Sequence, residues 1–473
     1  MALDQQRNWD IGMAENLASV QQRNKQDSPP QEKTVKNAAG NDVYPSWTTQ
    51  PIYLPDEIIL EILNYISRTK QAQKTLASCC LLSRQWYDAA VPLLYARPYL
   101  HGGNFDQWTR AICPSINLHV RKSPLSELTR SLNMSGLVHS GSKSLTARIL
   151  GRTKGVLEEF VAPQASFSVH CCPPLGKCQR LRLLDLSLVS ESPPLPKLFE
   201  TVSHLQDLRT FRLPRSSGFG VHYKPHSFAW PPRLEDLSLS GGIDAHFLHG
   251  VVAFPQTLKS LTIEHCPLAK GFAVSHLLRT AVRPLQNLNS FTIRMMPRLS
   301  SHALDDLLLL LPQVKKLSLS VDYITPALFD ESHLNHLQKD YVLPAITADD
   351  IDGLDAVTAT PLQHSHLRLL ELTNSGNPGV EDKISPIDIM IAIDDGVLPR
   401  LRQVRVARSL LWHSSSTARD AEALADVLQE ACKRDWEGGL QRGKGELFEG
   451  VGREEGERRR VWEEVAGVWM FDG

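Results

Sequence analysis

Two hydrophobic periods take turns along this chain. One is a six-residue pattern: apolar, two variable positions, apolar, one variable position, apolar. It reads LRLLDL from Leu181, LRTFRL from Leu208, LEDLSL from Leu234, LKSLTI from Leu258, LNSFTI from Leu288, VKKLSL from Val314, LRLLEL from Leu367 and LRQVRV from Leu401. A weaker copy, LEEFVA, starts at Leu157. Its second half alternates with the period of two that marks a strand with one buried face. Between the copies, PKLFETVSHL, DAHFLHGVV, VSHLLRTAV and ALDDLLLLL carry apolar residues at helical spacing. Each unit therefore predicts a helix followed by a short strand.

Most successive copies start 24 to 30 residues apart, the last two 34 residues apart, and those at Val314 and Leu367 are separated by 53. The common spacing is that of a leucine-rich repeat, and 53 is about two such periods. An insertion interrupting one repeat is expected there, through DYVLPAITADDIDGLDAVTATP near 323–362. A single unit cannot bury its apolar face alone, so the prediction is an α/β solenoid: a parallel sheet on the inner face and helices outside. The polar ladder position of such repeats holds Ser216, Cys266, Asp322, Ser375 and Ser409, but also Val189, Gly242 and Met296. The outer turns are expected to be irregular.

Ahead of the repeats lies an apolar helical hairpin. Leu54 and Pro55 open a helix whose Ile58, Ile59, Ile62, Leu63 and Ile66 share one face, and Asp56 and Glu57 suit the positive end of its dipole. Proline is tolerated in the first turn because its missing N–H has no intrahelical partner there. A second run, 76–86, puts Leu76, Cys80, Ser83 and Tyr87, or Cys79, Leu82 and Trp86, on helical rows. The apolar character continues to Tyr95, and three short helices are expected.

This stretch resembles the F-box, the helical module by which substrate receptors dock on the Skp-type linker of cullin-based ubiquitin ligases. Leu54, Pro55, Glu57, Ile58, Ile62, Leu63 and Ile66 match the first part of its signature; Leu76, Leu82, Arg84 and Trp86 match the second. The loop SRTKQAQKT is longer than the usual pattern, and Ser83 stands where cysteine is commoner. Hairpin and repeats together resemble F-box proteins with leucine-rich repeats, and residues 113–163 are similar to fungal members. The resemblance implies a non-enzymatic substrate receptor. Leu54, Pro55, Ile58, Ile62, Leu63, Leu76, Leu82 and Trp86 would contact the linker, which joins the receptor to the cullin scaffold.

The layout expected is a polar, disordered segment over 1–48, an F-box over 49–100, a solenoid over 101–412, and a helical cap with a charged tail over 413–473. Ile116, Leu118 and Val120 alternate like a first strand, and 123–137 reads as a helix. Near the end, 418–436 has a helical pattern that could cap the array. WEEVAGVWMF is an apolar patch that either folds back on the array or binds something.

A net charge of −1 gives no basic field for nucleic acid. No apolar run approaches the roughly 20 residues needed to cross a bilayer, and MALDQQRNWD lacks the apolar core of a signal peptide. The expectation is a soluble cytoplasmic or nuclear protein whose 8 cysteines are reduced. No catalytic or phosphate-binding motif is present. His170, Cys171, Cys172 and Cys178 match no zinc spacing, and His246 and His249 share a helix face without a third ligand. No metal or cofactor is expected.

Target recognition is expected on the concave sheet, where strand alternation turns Asp185, Arg212, Asp236, Glu264, Arg294, Lys316, Glu371 and Arg405 to solvent. Their signs alternate, which implies a protein target of mixed charge. The competing reading is a leucine-rich structural or regulatory scaffold whose hairpin only caps the solenoid.

Overall fold

In each repeat the alternating half of the pattern becomes a strand, and the strands stack in the order of the sequence. The computed structural model describes residues 54–66, 70–114, 123–137, 142–219, 229–250, 253–341, 365–374, 384–414, 417–442 and 465–472. The chain divides into two units, Met1–Ile58 and Ile59–Gly473. The strands are β1 (Ser131–Asn133), β2 (Glu159–Val161), β3 (Leu183–Asp185), β4 (Thr210–Arg212), β5 (Asp236–Leu239), β6 (Ser260–Glu264), β7 (Ser290–Arg294), β8 (Lys316–Ser320), β9 (Leu369–Thr373), β10 (Gln403–Ala407) and β11 (Gly467–Phe471). They form one 11-stranded sheet, every neighbouring pair parallel.

The helices are α1 (Asp56–Asn64), α2 (Lys70–Cys79), α3 (Arg84–Ala96), α4 (Gly102–Ile112), α5 (Lys143–Thr153), α6 (Cys172–Leu175), α7 (Leu195–Ser203), α8 (Ala245–Gly250), α9 (Gly271–Leu277), α10 (Leu307–Leu310), α11 (Glu331–Tyr341), α12 (Pro386–Asp394) and α13 (Ala418–Arg442). From α5 onward they lie between successive strands, as helix-then-strand units require.

Register explains the core. Leu184, Phe211, Leu237, Leu261, Phe291 and Leu317 occupy equivalent positions on adjacent strands and are all buried. They form an apolar spine, and the last apolar residue of each pattern forms a second row behind it. The side chains between them point to the opposite, open face, where serine, threonine and charged residues predominate. Fully burying one such leucine or phenylalanine is worth about 1.5–3 kcal/mol, which no unit obtains without its neighbours.

The interval of 53 residues is a single enlarged unit, as an insertion within one repeat requires, since Leu317 pairs directly with Leu370 across β8 and β9. Part of the excess is short 3-10 turns at Val321–Tyr323 and Pro326–Phe329 followed by α11. Residues 342–364 lie outside the described residues. Two expectations are corrected. The segment 123–137, read as a helix, instead holds a 3-10 turn at Pro124–Glu127 and strand β1. Its pattern runs Thr129, Leu132, Met134, so a buried threonine takes the place of the first leucine. The strand expected at Ile116 to Val120 lies outside the described residues, as does the 1–48 segment. Finally, the run 76–86 is not one helix: α2 ends at Cys79 and α3 begins at Arg84, capped by Ser83, whose Oγ accepts from the Trp86 N–H at 3.3 Å.

The terminal apolar patch folds back on the array as β11, with Val465, Val468 and Met470 following the repeat pattern. The corners after the strands are irregular as expected. Ser240 Oγ donates to Leu213 O at 2.7 Å, Cys266 Sγ to Leu239 O at 3.7 Å and Thr373 Oγ1 to Leu319 O at 3.2 Å. Different side chains thus satisfy equivalent carbonyls. At the β5 corner the chains approach so closely that a Cβ on Gly242 would lie 2.5 Å from Ser217 O, and Gly241 has φ +82°. Gly242→Ala is therefore expected to lower stability by about 1–3 kcal/mol, measured as the urea midpoint. An unchanged midpoint would show that this corner gives way at no cost.

Candidate functional site

The hairpin sorts its apolar residues into two sets. Leu63 and Leu76 are 2% and 4% exposed, and with Ile59, Ala72, Ala90 and Val91 they are buried. Since a buried side chain cannot also meet a partner, Leu63 and Leu76 move from the contact set to the interior that supports it. Pro55, Ile58, Ile62 and Leu82 are exposed, Leu82 by 65%, while Leu54 and Trp86 are half-buried. Ile58 and Ile62 lie one helical turn apart on α1. Leu60, Tyr65, Leu81 and Tyr87 are also exposed and were not predicted, Tyr65 being open by 82%. The helical period was the available signal, since neither Leu60 nor Tyr65 falls on the inward row of Ile59 and Leu63.

The repeat core begins after this hairpin. Leu100, Phe105, Trp108 and Ile112, at or on α4, belong to the same buried cluster as Leu132, Phe160 and the spine, whereas Ile59, Leu63 and Leu76 do not. Helix α4, held at its start by the His101 and Asn104 capping box, packs against the 3-10 turn at Pro124–Glu127 and against α5 in the first repeat. The hairpin is joined to the array through Arg130 N–H, which donates to Ala96 O at 2.9 Å, and through Arg97 and Glu159 at 3.5 Å.

On the open face the eight nominated residues all lie on strands and outside the core. Arg212, Lys316 and Arg405 are exposed; Asp185, Asp236, Glu264, Arg294 and Glu371 are half-buried. Their alternating signs are largely spent within the sheet. Arg212 pairs with Asp185 at 3.1 Å and Arg294 with Glu264 at 3.2 Å, and Glu371 accepts the Ser318 hydroxyl at 2.9 Å. A parallel line of ion pairs runs beside them, Arg130–Glu158 and Arg209–Glu235 each at 3.1 Å and Lys259–Glu235 at 2.7 Å. Lys316 and Arg405 make no ion pair among the described residues. Asp236 sits where partial burial pushes its carboxyl above the usual range, against the opposing pull of Arg212 and a hydrogen bond from Ser260.

A groove of about 570 Å³ opens at the C-terminal end of this face, lined by Glu371, Gln403, Arg405, Trp469 and Phe471. Trp469 and Phe471 were not among the predicted site residues. The pattern Val465, Val468, Met470 places them on the open face.

The cysteines are free thiols. Burial pushes Cys171 up to about 11 and Cys178 and Cys266 up to about 12, so these are packed, protonated groups rather than nucleophiles. No group of three metal-ligating side chains occurs among the described residues. His249 stacks on His276, with ring centroids 4.4 Å apart. No described helix is long and apolar enough to cross a membrane.

A helical hairpin with exposed apolar residues is followed by a leucine-rich-repeat array. Residues 52–101 match the F-box-like family. The chain is 30% identical over 380 residues to F-box protein YDR306C of Saccharomyces cerevisiae, spanning 77% of this chain and 72% of that protein. It is 26% identical over 379 residues to protein pof5 of Schizosaccharomyces pombe, spanning 80% and 96%. The chain belongs to the F-box protein family. Among solved structures it is similar to an internalin from Listeria monocytogenes, at 14% identity and covering 67% of this chain and 91% of that one. The TM-score of 0.27 is too low to describe a shared shape, and the repeat architecture stands on the sheet itself.

Asp236 supplies a test of the electrostatics. A carboxyl whose folded pKa is raised binds its proton more readily folded than unfolded, so stability falls as pH rises from the unfolded value through the folded one. Above that window the penalty is fully present. Asp236→Asn is therefore expected to raise the thermal midpoint at pH 7, with the gain shrinking as the pH falls through the carboxyl range. A gain that stays constant with pH would assign the effect to packing.

Proposed function

We propose that this protein is the substrate receptor of a cullin-based ubiquitin ligase: the hairpin docks on a Skp-type linker and the repeats hold the target. The observation that carries this reading is the division of labour at the N-terminal end. Helix α4 supplies the apolar cover that the first repeat needs, which leaves Ile62 and Leu82 exposed on the hairpin with no capping duty. The family relationship supports the same reading. Ile62, Leu82 and the half-buried Trp86 belong to the contact set in one unit and Leu54, Pro55 and Ile58 to it in the other; Leu63 and Leu76 support it from the interior.

The chemistry of transfer then belongs to other enzymes. The receptor raises the effective concentration of target lysines near charged ubiquitin, a gain set by reach and geometry. Strands hydrogen-bonded in series supply a fixed geometry. The open face of the sheet is the proposed target surface, and its lateral ion pairs narrow it. Each exposed pair is worth about 0–1 kcal/mol and leaves little net charge to steer a partner, so Asp185, Arg212, Glu264 and Arg294 chiefly align strands. A receptor of this kind works in the cytoplasm or nucleus, where the cullin scaffold and the target meet.

The scaffold reading is separated by one experiment. Ile62→Asp with Leu82→Asp alters exposed positions, so the repeats should keep their thermal midpoint. Each change places a charge in an apolar contact, and interface hot spots cost about 2 kcal/mol or more apiece. Capture of the purified linker is expected to weaken by about a hundredfold or more. Undiminished capture, or no capture by the unaltered protein, would favour a solenoid whose hairpin has no ligase partner.

A further inference from the structure

The open face is not uniform, and its C-terminal end differs from the rest in two independent respects. The first is aromatic content. On β1 to β10 the solvent-facing strand positions hold serine, threonine, asparagine, glutamine, charged residues and occasional aliphatics, such as Thr210 and Arg212, Ser260, Thr262 and Glu264, or Gln403 and Arg405. Among the described strands only β11 brings aromatic rings to this face, with Trp469 in register with Arg405 and Phe471 in register with Ala407. The second is charge. Arg212 and Arg294 are held by carboxylates on the preceding strand, whereas Arg405 is exposed and has no ion-pair partner among the described residues. Glu371 borders the groove, yet it accepts the Ser318 hydroxyl and makes no ion pair with Arg405.

We propose that the groove formed by Glu371, Gln403, Arg405, Trp469 and Phe471 binds an extended acidic peptide segment that carries an apolar side chain beside its carboxylate. The inference rests on the receptor reading above and names the chemistry of its target. The Arg405 guanidinium takes the carboxylate, where a planar fork of N–H donors matches two oxygens. Trp469 and Phe471 take the apolar side chain, and tryptophan and arginine are the residue types most enriched where truncation costs binding. Neighbouring strands lie about 4.8 Å apart and same-face residues along one strand about 6.8 Å apart. Arg405 and the two rings are therefore within reach of side chains one or two residues apart on an extended chain. Gln403 is already fixed, its amide donating to Val465 O at 2.7 Å. That bond ties the groove floor to β11, so the site is complete only with the C-terminal strand in place.

Three rhodamine-labelled dodecapeptides built on a repeated Ser-Asp-Phe unit, on its Asn-for-Asp counterpart and on its Lys-for-Asp counterpart test this by fluorescence anisotropy with the full chain. The acidic peptide is expected to bind at least tenfold more tightly than the Asn peptide, and the Lys peptide more weakly than either. Arg405→Gln should reduce the acidic peptide to the level of the Asn peptide. Trp469→Ala should weaken both by about tenfold, while Arg212→Gln leaves all three unchanged. Thermal midpoints are measured alongside; should Trp469→Ala undock β11, the Arg405→Gln result decides alone. Equal binding of the three peptides, binding of none, or an acid preference that survives Arg405→Gln would overturn the proposal. Linker capture by the same preparations separates the two readings: its loss with peptide selectivity intact strikes only the ligase assignment, and its retention without selectivity strikes only the groove.

Discussion

One repeated hydrogen-bond arrangement sets the position of everything else. At the entry to each strand from β2 to β10 a single carbonyl of the preceding unit accepts two successive N–H groups from the next. Arg182 O accepts from Arg209 and Thr210, Arg209 O from Glu235 and Asp236, Glu235 O from Lys259 and Ser260, and Asn289 O from Lys315 and Lys316. This fixes register, and a shift of one residue would turn the apolar spine to solvent and the charged row to the core. The constraint is strong enough to absorb an irregular chain. After the long unit following β8, Arg368 and Leu369 return to Lys315 O at 2.8 and 3.0 Å, the same geometry as in the short units.

An array built this way leaves its two ends unsatisfied, and the ends are where the protein departs from repetition. At one end α4 brings Phe105, Trp108 and Ile112 into the buried cluster of the first repeat. At the other, α13 and β11 close the stack. Arg402, almost wholly buried, reaches Asp435 on α13 at 2.8 Å, and its backbone carbonyl accepts the Gly467 N–H at 3.1 Å. The N-terminal closure uses residues from outside the six-residue pattern, whereas β11 keeps the pattern with Val465, Val468 and Met470 and is sealed by α13.

The repeats with leucine in their first position were legible because period and burial coincide: Leu181, Leu208, Leu234, Leu258 and Leu288 each announce a strand two residues on. Where tertiary context replaced that leucine, legibility failed. Thr129 hides β1, and at β11 the apolar patch WEEVAGVWMF was visible but not as a strand, because Val465 stands in the place of the first leucine. On the hairpin, the apolar row was visible but its two sides were not. Ile62 and Leu63 are adjacent isoleucine and leucine, and only packing shows that one faces out and the other in. On the open face, alternation placed all eight charges outside the core, but pairing between strands depends on register between units, which a linear pattern does not contain.

The same physics connects the closure of the array to its recognition chemistry. Inside the stack, each open-face side chain has neighbours on both flanking strands, and opposite charges such as Asp185 with Arg212 and Glu264 with Arg294 satisfy one another there. On the last strand that lateral partner exists on one side only. Val468 is half-buried and Met470 exposed, although equivalent positions on β10 are sealed. Aromatic side chains suit such a position because they gain contact area from a single neighbour at little rotamer cost. Trp469 and Phe471 thus anchor β11 against β10 while presenting the rest of their surface to solvent, and Arg405 lies between these rings and Glu371, with which it makes no ion pair. The feature that ends the sheet is also the one that leaves it a cation and apolar surface not already committed to its own stability.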